Sequence, residues 1–216
     1  MTSIGKSLAV VGVAALLLAG CAHDVTGTAV TATGAAGASA SGGGEDLCTT
    51  VDAPLEDVPN ENDGEPLLRI PVPDGWERNT MMDSQIIRFT IVSTDLIADD
   101  FATNAVVTLE SAPGGQSPDE VFDQNRGNLE TMMGAFDLDT EDNTTCGFPS
   151  ETTHYTAPPM GPAPERPIIM HAVVAEADNT TYLATLTIQT TDPDNPKYIS
   201  DSRQIVDGFQ LLLPGS

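Results

Sequence analysis

The sequence predicts an α+β fold in which strands and helices pack as layers. Two neighbouring segments, 168–176 and 182–189, are rich in alternating apolar residues, and a short turn at Asp178-Asn179-Thr180 joins them. A capping box, Ser117-Pro118-Asp119-Glu120, begins a helical pattern earlier in the chain. The order of strands, helix, strands and helix favours a layered α+β domain.

Three short strands are predicted before the first helix: 68–72, 86–92 and 105–110. Pro71 indicates that the first of them lies at a sheet edge, since proline cannot donate to a strand ladder. A Pro73-Asp74-Gly75 turn leads to Trp76, the only tryptophan, which we expect to fill the core at the margin of the sheet. The acidic segment 95–104 is predicted to be a loop.

The helix that follows Ser117 has Pro118 at its first position and Gly134 as its expected stop. Apolar side chains recur after the capping box at helical spacing: Val121, Leu129, Met132, Met133 and Phe136. We expect the two methionines to fill gaps in the core, as flexible methionine side chains commonly do.

The second half of the domain contains short predicted strands at 136–138 and 153–156, on either side of a loop with Cys146. Five prolines between residues 158 and 167 predict a stiff, irregular connection to the long hairpin. A last helix begins near Asn195-Pro196. Its stripe, Tyr198, Ser202, Ile205, Val206 and Phe209, runs on toward Leu211-Leu212-Leu213.

The N-terminal stretch is typical of a bacterial lipoprotein signal. Lys6 precedes an apolar run at 8–18, which is shorter than the roughly 20 residues that span a bilayer. Leu18-Ala19-Gly20-Cys21 closes the run and matches a lipobox, where the signal peptide is cut and the new N-terminal cysteine is acylated. The alternative is an ordinary secretory signal with a chance cysteine.

This pattern predicts a chain of three parts: a lipoprotein signal peptide (1–20), a lipid-anchored flexible tether (21–47) and a single α+β domain (48–216). The tether is dominated by Ala, Gly, Thr and Ser and has little large apolar surface to bury. A flexible chain of that length has a root-mean-square span of roughly 30 Å. The domain could therefore stand clear of the membrane surface.

The acidity of the chain limits its partners. Its net charge is −24, from 32 acidic and 8 basic residues. Such a surface repels nucleic acid and anionic headgroups, so we expect no nucleic-acid partner and no polybasic membrane docking. Attachment to the membrane then depends on the lipid anchor at Cys21, and the acidity is otherwise explained by solubility outside the cell.

Cysteine usage predicts one disulfide. If Cys21 is acylated, Cys48 and Cys146 remain, and an oxidising compartment favours their pairing. Two buried free thiols or a catalytic cysteine are the alternatives.

Motifs for metal and cofactor chemistry are not found in the sequence. The acidic run 137–142 resembles a calcium loop, but Asp142 stands where the sharp turn needs glycine and Phe148 where the bidentate glutamate belongs. Weak divalent-cation binding by the acidic run stays open. His171 lies among alternating apolar residues, which favours a buried or half-buried structural histidine. We expect no cofactor, no metal site and no catalytic residues, with a hydrolase assembled from His154 or His171, a serine and an acid as the alternative.

The combined features resemble the LpqN/LpqT lipoproteins of actinobacteria. The resemblance rests on the lipobox, the low-complexity tether, Ile70-Pro71-Val72-Pro73-Asp74-Gly75-Trp76, the capped helix, the long hairpin and the closing Ile205-Val206-Asp207-Gly208-Phe209. It covers residues 65–214. It implies a Mog1/PsbP-like fold, in which a curved antiparallel sheet carries helices packed on it, and a place in the cell envelope without catalytic residues. Some members of that family have been tied to the transport or handling of envelope lipids.

Together these observations predict a non-catalytic binding module on the extracytoplasmic face of the cell membrane. Its expected partner is an envelope lipid, a glycolipid or an envelope protein. A structural or assembly factor of an envelope complex is the alternative.

Overall fold

The computed structural model describes residues 44–215, and in this range the predicted antiparallel α+β fold is confirmed. Ten strands are present: β1 Leu55–Val58, β2 Leu67–Pro71, β3 Trp76–Arg78, β4 Ile87–Ala98, β5 Phe101–Pro113, β6 Phe136–Thr145, β7 Phe148–Ala157, β8 Arg166–Ala177, β9 Thr180–Gln189 and β10 Gln210–Leu212. Two helices accompany them: α1 Pro118–Met133 and α2 Pro196–Asp207.

The strands form two antiparallel sheets. The larger sheet has seven strands in the order β3-β4-β5-β9-β8-β7-β6, and the smaller has three in the order β1-β2-β10. The predicted long hairpin is β8 and β9, which pair from Ile168↔Gln189 to Ala177↔Thr180 at the centre of the larger sheet. The chain therefore builds one wide sheet, one of whose faces meets the smaller sheet.

Three hairpins of the larger sheet close through two-residue turns: Asp99-Asp100, Cys146-Gly147 and Asp178-Asn179. Both residues of each turn have positive φ, as a type I′ turn requires. The acidic segment 95–104 is consequently strand and tight turn rather than the predicted loop. The predicted loop around Cys146 is likewise wrong, because ten-residue strands reach the turn from both sides.

Helix α1 begins and ends as its sequence predicts. The Ser117 hydroxyl accepts a hydrogen bond from the Glu120 amide, and Gly134 adopts a left-handed φ of 68° after the last turn. The expected core role of Met132 and Met133 is wrong, since 78% and 49% of these residues are exposed. The chain reverses at Gly134 and puts Ala135 beside Leu129 in the core, so the methionines remain outside.

The two helices lie on opposite faces of the large sheet. Val121 of α1 packs with Ala172 and Val174 of β8, whereas Ile205 of α2 packs in the cluster that contains Val173. Because successive strand residues face opposite sides, residues 172 and 173 belong to different faces. The larger core cluster lies on the α2 face and includes residues of the smaller sheet.

The smaller sheet corrects two predictions. Strand β2 is its middle strand and not an edge, which is possible because Pro71 is the last residue of the strand. The apolar run after α2 is strand β10, paired with β2, rather than a continuation of the helix. Gly208 separates helix and strand, and a Cβ there would come within 2.5 Å of Val51 and 2.7 Å of Pro71.

The Pro73-Asp74-Gly75-Trp76 segment fixes α2 on the sheet. Gly75 has a φ of 83°, and a Cβ at that position would stand 2.3 Å from the Asp95 carboxylate. The turn directs Trp76 into the main core, where its indole Nε1 donates a 2.7 Å hydrogen bond to the buried carboxylate of Asp201 in α2. Lys197 Nζ donates to the same carboxylate oxygen at 2.7 Å. The expected core role of the tryptophan is confirmed.

A buried ion pair connects the segment before β2 to the large sheet. Arg88 of β4 donates two hydrogen bonds of 2.9 Å to the two carboxylate oxygens of Glu65, and both side chains are less than a tenth exposed. Burial opposes ionisation of Glu65, but hydrogen bonds from Arg88, Asn62 and the Glu61 amide, with the charge of Arg88, lower the pKa of this carboxyl from 4.5 to about 2.

We expect Glu65→Gln to lower the free energy of unfolding at pH 7 by about 3 kcal/mol, because Arg88 would keep its buried charge without a partner. The wild-type pair should contribute fully above pH 4.5 and progressively less as the pH falls toward 2, since the folded pKa lies below the unfolded one. Urea unfolding at pH 7 and at steps down to pH 2.5 measures both effects. Glu56→Gln, at an exposed glutamate of β1, is the control. Equal acid dependence of Glu65→Gln and the wild type from pH 4.5 to 2.5 would contradict the assignment.

Candidate functional site

A groove of about 900 Å³ opens between helix α2 and the β6–β8 part of the large sheet. Its walls are the α2-facing sides of these strands, the exposed side of the helix and the chain next to the disulfide. The residues that line it include Thr49, Asp137, Glu141, Asn143, Thr145, Thr152, His154, Thr156, Ile169, His171, Tyr198, Ile199, Ser202, Arg203, Val206, Asp207 and Phe209.

The sheet wall of the groove is polar because of the register of three strands. Thr152 of β7 lies opposite both Glu141 of β6 and His171 of β8, so the three side chains form a row across one face. The next row along the strands contains His154 and Ile169. The same face is apolar further along the sheet, where Leu186 of β9 stands opposite His171 and is fully buried. The groove begins where this face changes from apolar to polar.

His171 is held in a chain of hydrogen bonds at the base of the groove. The Thr145 hydroxyl donates to Ser150, so it accepts from His171 Nε2 at 2.8 Å. The Thr152 hydroxyl accepts from the Asn143 amide and donates to His171 Nδ1 at 2.8 Å. This direction of donation assigns the proton of a neutral imidazole to Nε2.

The environment of His171 keeps it uncharged. Only 3% of the residue is exposed, and burial lowers the pKa of its imidazole from 6.5 to about 4. The ring of Phe209 lies edge-on to it, with centroids 6.3 Å apart. The prediction of a buried histidine with satisfied hydrogen bonds is confirmed, and its role is to orient the two threonines that line the groove.

The helix wall of the groove contributes apolar side chains, Tyr198, Ile199 and Val206, beside the polar Ser202, Arg203 and Asp207. Tyr198 is 5% exposed, and burial raises the pKa of its phenol to about 12. Ile199 is 46% exposed and lines the groove, with Val206 about two turns further along the helix. The stripe predicted from the sequence found Tyr198 and Val206 but missed Ile199.

A disulfide closes one end of the groove. Cys48 and Cys146 are joined in the structure, with Cα atoms 4.1 Å apart and a sequence separation of 98. The bond attaches the segment before β1 to the tip of the β6–β7 hairpin and places Thr49 on the groove. In the chain-entropy model, closing a loop of this length contributes about 4–5 kcal/mol at most.

The groove has an acidic and hydroxyl-rich character. Three carboxylates line it, Asp137, Glu141 and Asp207, against one guanidinium, Arg203. Threonine hydroxyls and the Asn143 amide supply further donors and acceptors, and the apolar surface comes from α2 and β8. This combination suits a molecule with a neutral, polyhydroxylated part and an apolar part, and it disfavours an anionic one.

The predicted alternative of a hydrolase finds partial support in the groove. Both His154 and His171 line it, together with Ser202 and Asp207. The Ser202 hydroxyl, however, donates to the Ile199 carbonyl inside the helix, and both nitrogens of His171 have threonine partners. A general base must share a hydrogen bond with its nucleophile, and the contacts of these two side chains point elsewhere.

In residues 44–215, no three His, Cys, Asp or Glu side chains lie close enough together to hold a metal ion. In the acidic run, Glu141 and Asp142 are neighbours in strand β6 and face opposite sides of the sheet. Cys21, the predicted signal peptide 1–20 and nearly all of the predicted tether lie outside the described residues. The part of the chain that the structure describes contains no helix long and apolar enough to cross a membrane.

Comparison with known proteins finds one matching family. A family model described as probable lipoprotein LpqN matches residues 50–212. The crystal structure of LpqN of Mycobacterium tuberculosis, described as involved in cell envelope biogenesis, is similar with a TM-score of 0.59 and 18% identity. That match covers 74% of this chain and 91% of the LpqN chain.

Two more distant structures have lower scores. The Ran-binding protein Mog1p of Saccharomyces cerevisiae has a TM-score of 0.44 and 12% identity, over 74% of this chain and 96% of its own. A Pseudomonas aeruginosa protein of unknown function, PA94, has a TM-score of 0.43 and 16% identity, over 69% and 92%. No curated protein sequence matches the chain.

We expect the imidazole of His171 to stay neutral down to about pH 5 and to titrate near pH 4 in the folded protein. The unfolded chain takes up this proton near pH 6.5, so the associated stability should be complete above pH 6.5 and decline as the pH falls to 4. An NMR titration of the histidine Cε1 signals checks this, with His154→Asn to assign them. A His171 midpoint near 6.5 would show that the ring is not buried as described.

Proposed function

Because the chain belongs to the LpqN family of probable lipoproteins, whose model matches residues 50–212, we propose that it is an anchored binding protein of the cell envelope whose groove takes an amphiphilic lipid or glycolipid. The observation that carries the proposal is the groove itself, which has a polar sheet wall and a helix wall with apolar side chains beside polar ones. The relative from Mycobacterium tuberculosis is described as involved in cell envelope biogenesis, which supports such a role.

The two walls select for two parts of one ligand. Hydroxyl, amide and carboxylate groups of β6 and β7 can share hydrogen bonds with the hydroxyls of a sugar or polyol headgroup. Ile199 and Val206 of α2 can cover the beginning of an acyl chain, and each buried methylene contributes about 0.8 kcal/mol. A volume of about 900 Å³ lies within the range of sites for molecules of drug size. It would hold the headgroup and part of a chain rather than a whole long-chain lipid.

The charge of the groove narrows the headgroup to a neutral one. Three carboxylates against one arginine repel phosphate or sulfate, and the whole chain has a net charge of −24. A glycolipid with an uncharged sugar therefore fits better than an anionic phospholipid.

The predicted anchor gives the binding domain its place. Acylation of Cys21 after cleavage of residues 1–20 would fix the chain to the extracytoplasmic face of the cell membrane. A tether over residues 21–47 would let the groove reach lipids and proteins at a distance of roughly 30 Å. Membrane residence then depends on the lipid, because the acidic domain is repelled by anionic headgroups.

We expect Cys21→Ala to move the folded domain from the membrane fraction to the soluble fraction of cells. The acyl chains on Cys21 would hold the protein to the membrane, and stable anchoring needs two or more of them. Fractionation followed by detection of the chain measures the shift, and globomycin-type inhibition of the lipoprotein signal peptidase should leave the uncut precursor in the wild type. An unchanged membrane fraction for Cys21→Ala would contradict the anchor.

We expect protein purified from its own envelope to retain a lipid of neutral headgroup and to lose it with Ile199→Asp. The substitution puts a charge among the apolar side chains of α2, which should expel an acyl chain. The fold should persist because Ile199 is already 46% exposed. Ile97→Asp is the matched control, because this isoleucine is 63% exposed on the β4–β5 hairpin and does not line the groove. Native mass spectrometry measures the bound mass.

Two outcomes would contradict this proposal. One is retention of the same lipid by Ile199→Asp and Ile97→Asp, which would place binding outside the groove. The other is a wild-type protein without any bound lipid that instead crosslinks to an envelope protein, the result expected of an assembly factor.

A further inference from the structure

Strand β6 is a long open edge of the large sheet. It has ten residues, and eight of them are exposed, with Leu138 half-buried and Thr145 buried. In the described part of the chain it pairs only with β7. The other sheet edges are much shorter: β3 has three residues, β1 four and β10 three. An edge of this length has room for another strand.

The position of Pro149 shows which backbone groups of β6 face outward. Thr144 lies opposite Pro149, which has no N–H, so this pair cannot exchange two hydrogen bonds. Pairs alternate along an antiparallel ladder, and residues of the non-bonded pairs direct their N–H and C=O away from the partner strand. Thr140, Asp142 and Thr144 therefore present their backbone groups to solvent.

The two-residue turn at Cys146-Gly147 gives the same assignment. Such a turn closes with a hydrogen-bonded pair, here Thr145 and Phe148, so the next pair toward the strand is a non-bonded one. These three alternate residues, which span five positions, are enough to fix the register of an added strand. A bulge between Phe136 and Asp139 ends this regular stretch on the other side.

The charge of β6 selects the strand that could be added. The strand contains four acidic residues, Asp137, Asp139, Glu141 and Asp142, and no lysine or arginine. Two copies of β6 would bring eight carboxylates together, which opposes self-association through this edge. A basic strand would instead place its lysines or arginines opposite the carboxylates on both faces of the sheet.

We propose that β6 binds an extended, lysine- or arginine-rich segment of a partner protein as an eighth strand of the large sheet. Backbone hydrogen bonds to Thr140, Asp142 and Thr144 supply the attachment, and the flanking carboxylates supply the preference for a basic segment. This site shares the carboxylates of Asp137 and Glu141 with the groove but differs from it in its backbone contacts, which lie on the outer edge of β6.

The test uses detergent-solubilised full-length protein and a capped ten-residue peptide of alternating lysine and threonine. Fluorescence anisotropy measures binding, and NMR hydrogen exchange measures each amide. We expect the peptide to bind and to slow exchange at Thr140, Asp142 and Thr144. A glutamate-threonine peptide should not bind. The lysine peptide with N-methyl groups on alternate residues, which keeps its charge but cannot form one row of hydrogen bonds, should bind weakly and give no protection.

Variants of the protein separate backbone pairing from charge. Thr144→Pro removes one outward N–H and should weaken binding, whereas Thr144→Ala retains the N–H and should not. Asp142→Asn should weaken binding by about threefold, as expected for one cross-strand charge pair. Asp178→Asn, the same change in the exposed β8–β9 turn, should leave binding unaltered.

Equal binding of the N-methylated and unmodified lysine peptides would overturn the proposal, because attraction would then be by charge alone. Absence of alternate-residue protection in the wild-type protein would overturn it as well. Both results are read on the wild-type chain, so they hold even if Thr144→Pro fails to fold.

Discussion

The position of α2 on the large sheet is the constraint on which the rest of the structure depends. One carboxylate, that of Asp201, is buried and accepts hydrogen bonds from Trp76 Nε1 and Lys197 Nζ. A buried carboxylate without such partners would be strongly destabilising, so the helix can lie in only one place. At that place α2 covers the apolar part of the sheet face and leaves the polar part of β6 and β7 open. The groove lies over the part of this sheet face that α2 does not cover.

The same sheet face therefore serves two purposes. Toward β5 and β9 its side chains are aliphatic and fully buried, and they make the main core with α2 and the smaller sheet. Toward β7 and β6 they become threonine, histidine and carboxylate. His171 stands at the boundary, neutral and bonded to two threonines, so that the polar surface begins without an unsatisfied buried group. The Cys48–Cys146 disulfide holds the hairpin tip at the end of this surface.

Local signals in the sequence predicted much of the fold. The capping box at Ser117, the glycine at 134 and the turn at Asp178-Asn179 act over a few residues, and the structure has helix and hairpin ends there. Longer strands were missed where the sequence is acidic, as at 95–104 and 137–142, because a strand at an edge or a hairpin end can be polar on both faces. The prediction that Pro71 marks an edge strand is wrong because a proline excludes a central position only where the strand continues beyond it.

The candidate site was predictable only in part. Both histidines were noted as candidates and both line the groove, but their neighbours come from β6, β7, β8 and α2, which only the tertiary fold brings together. Ile199 could not be recognised as part of a site without knowing which side of α2 faces the open part of the sheet. The proposal of a neutral amphiphile rests on that assembled surface.

The most direct test of this account is photocrosslinking in living cells with benzoylphenylalanine at position 199. A second chain with the same group at position 97 serves as the reference. We expect the probe at 199 to form an adduct with the mass of a neutral-headgroup lipid and the probe at 97 to form none. Protein-sized adducts at 199, or the same lipid adduct at both positions, would contradict it.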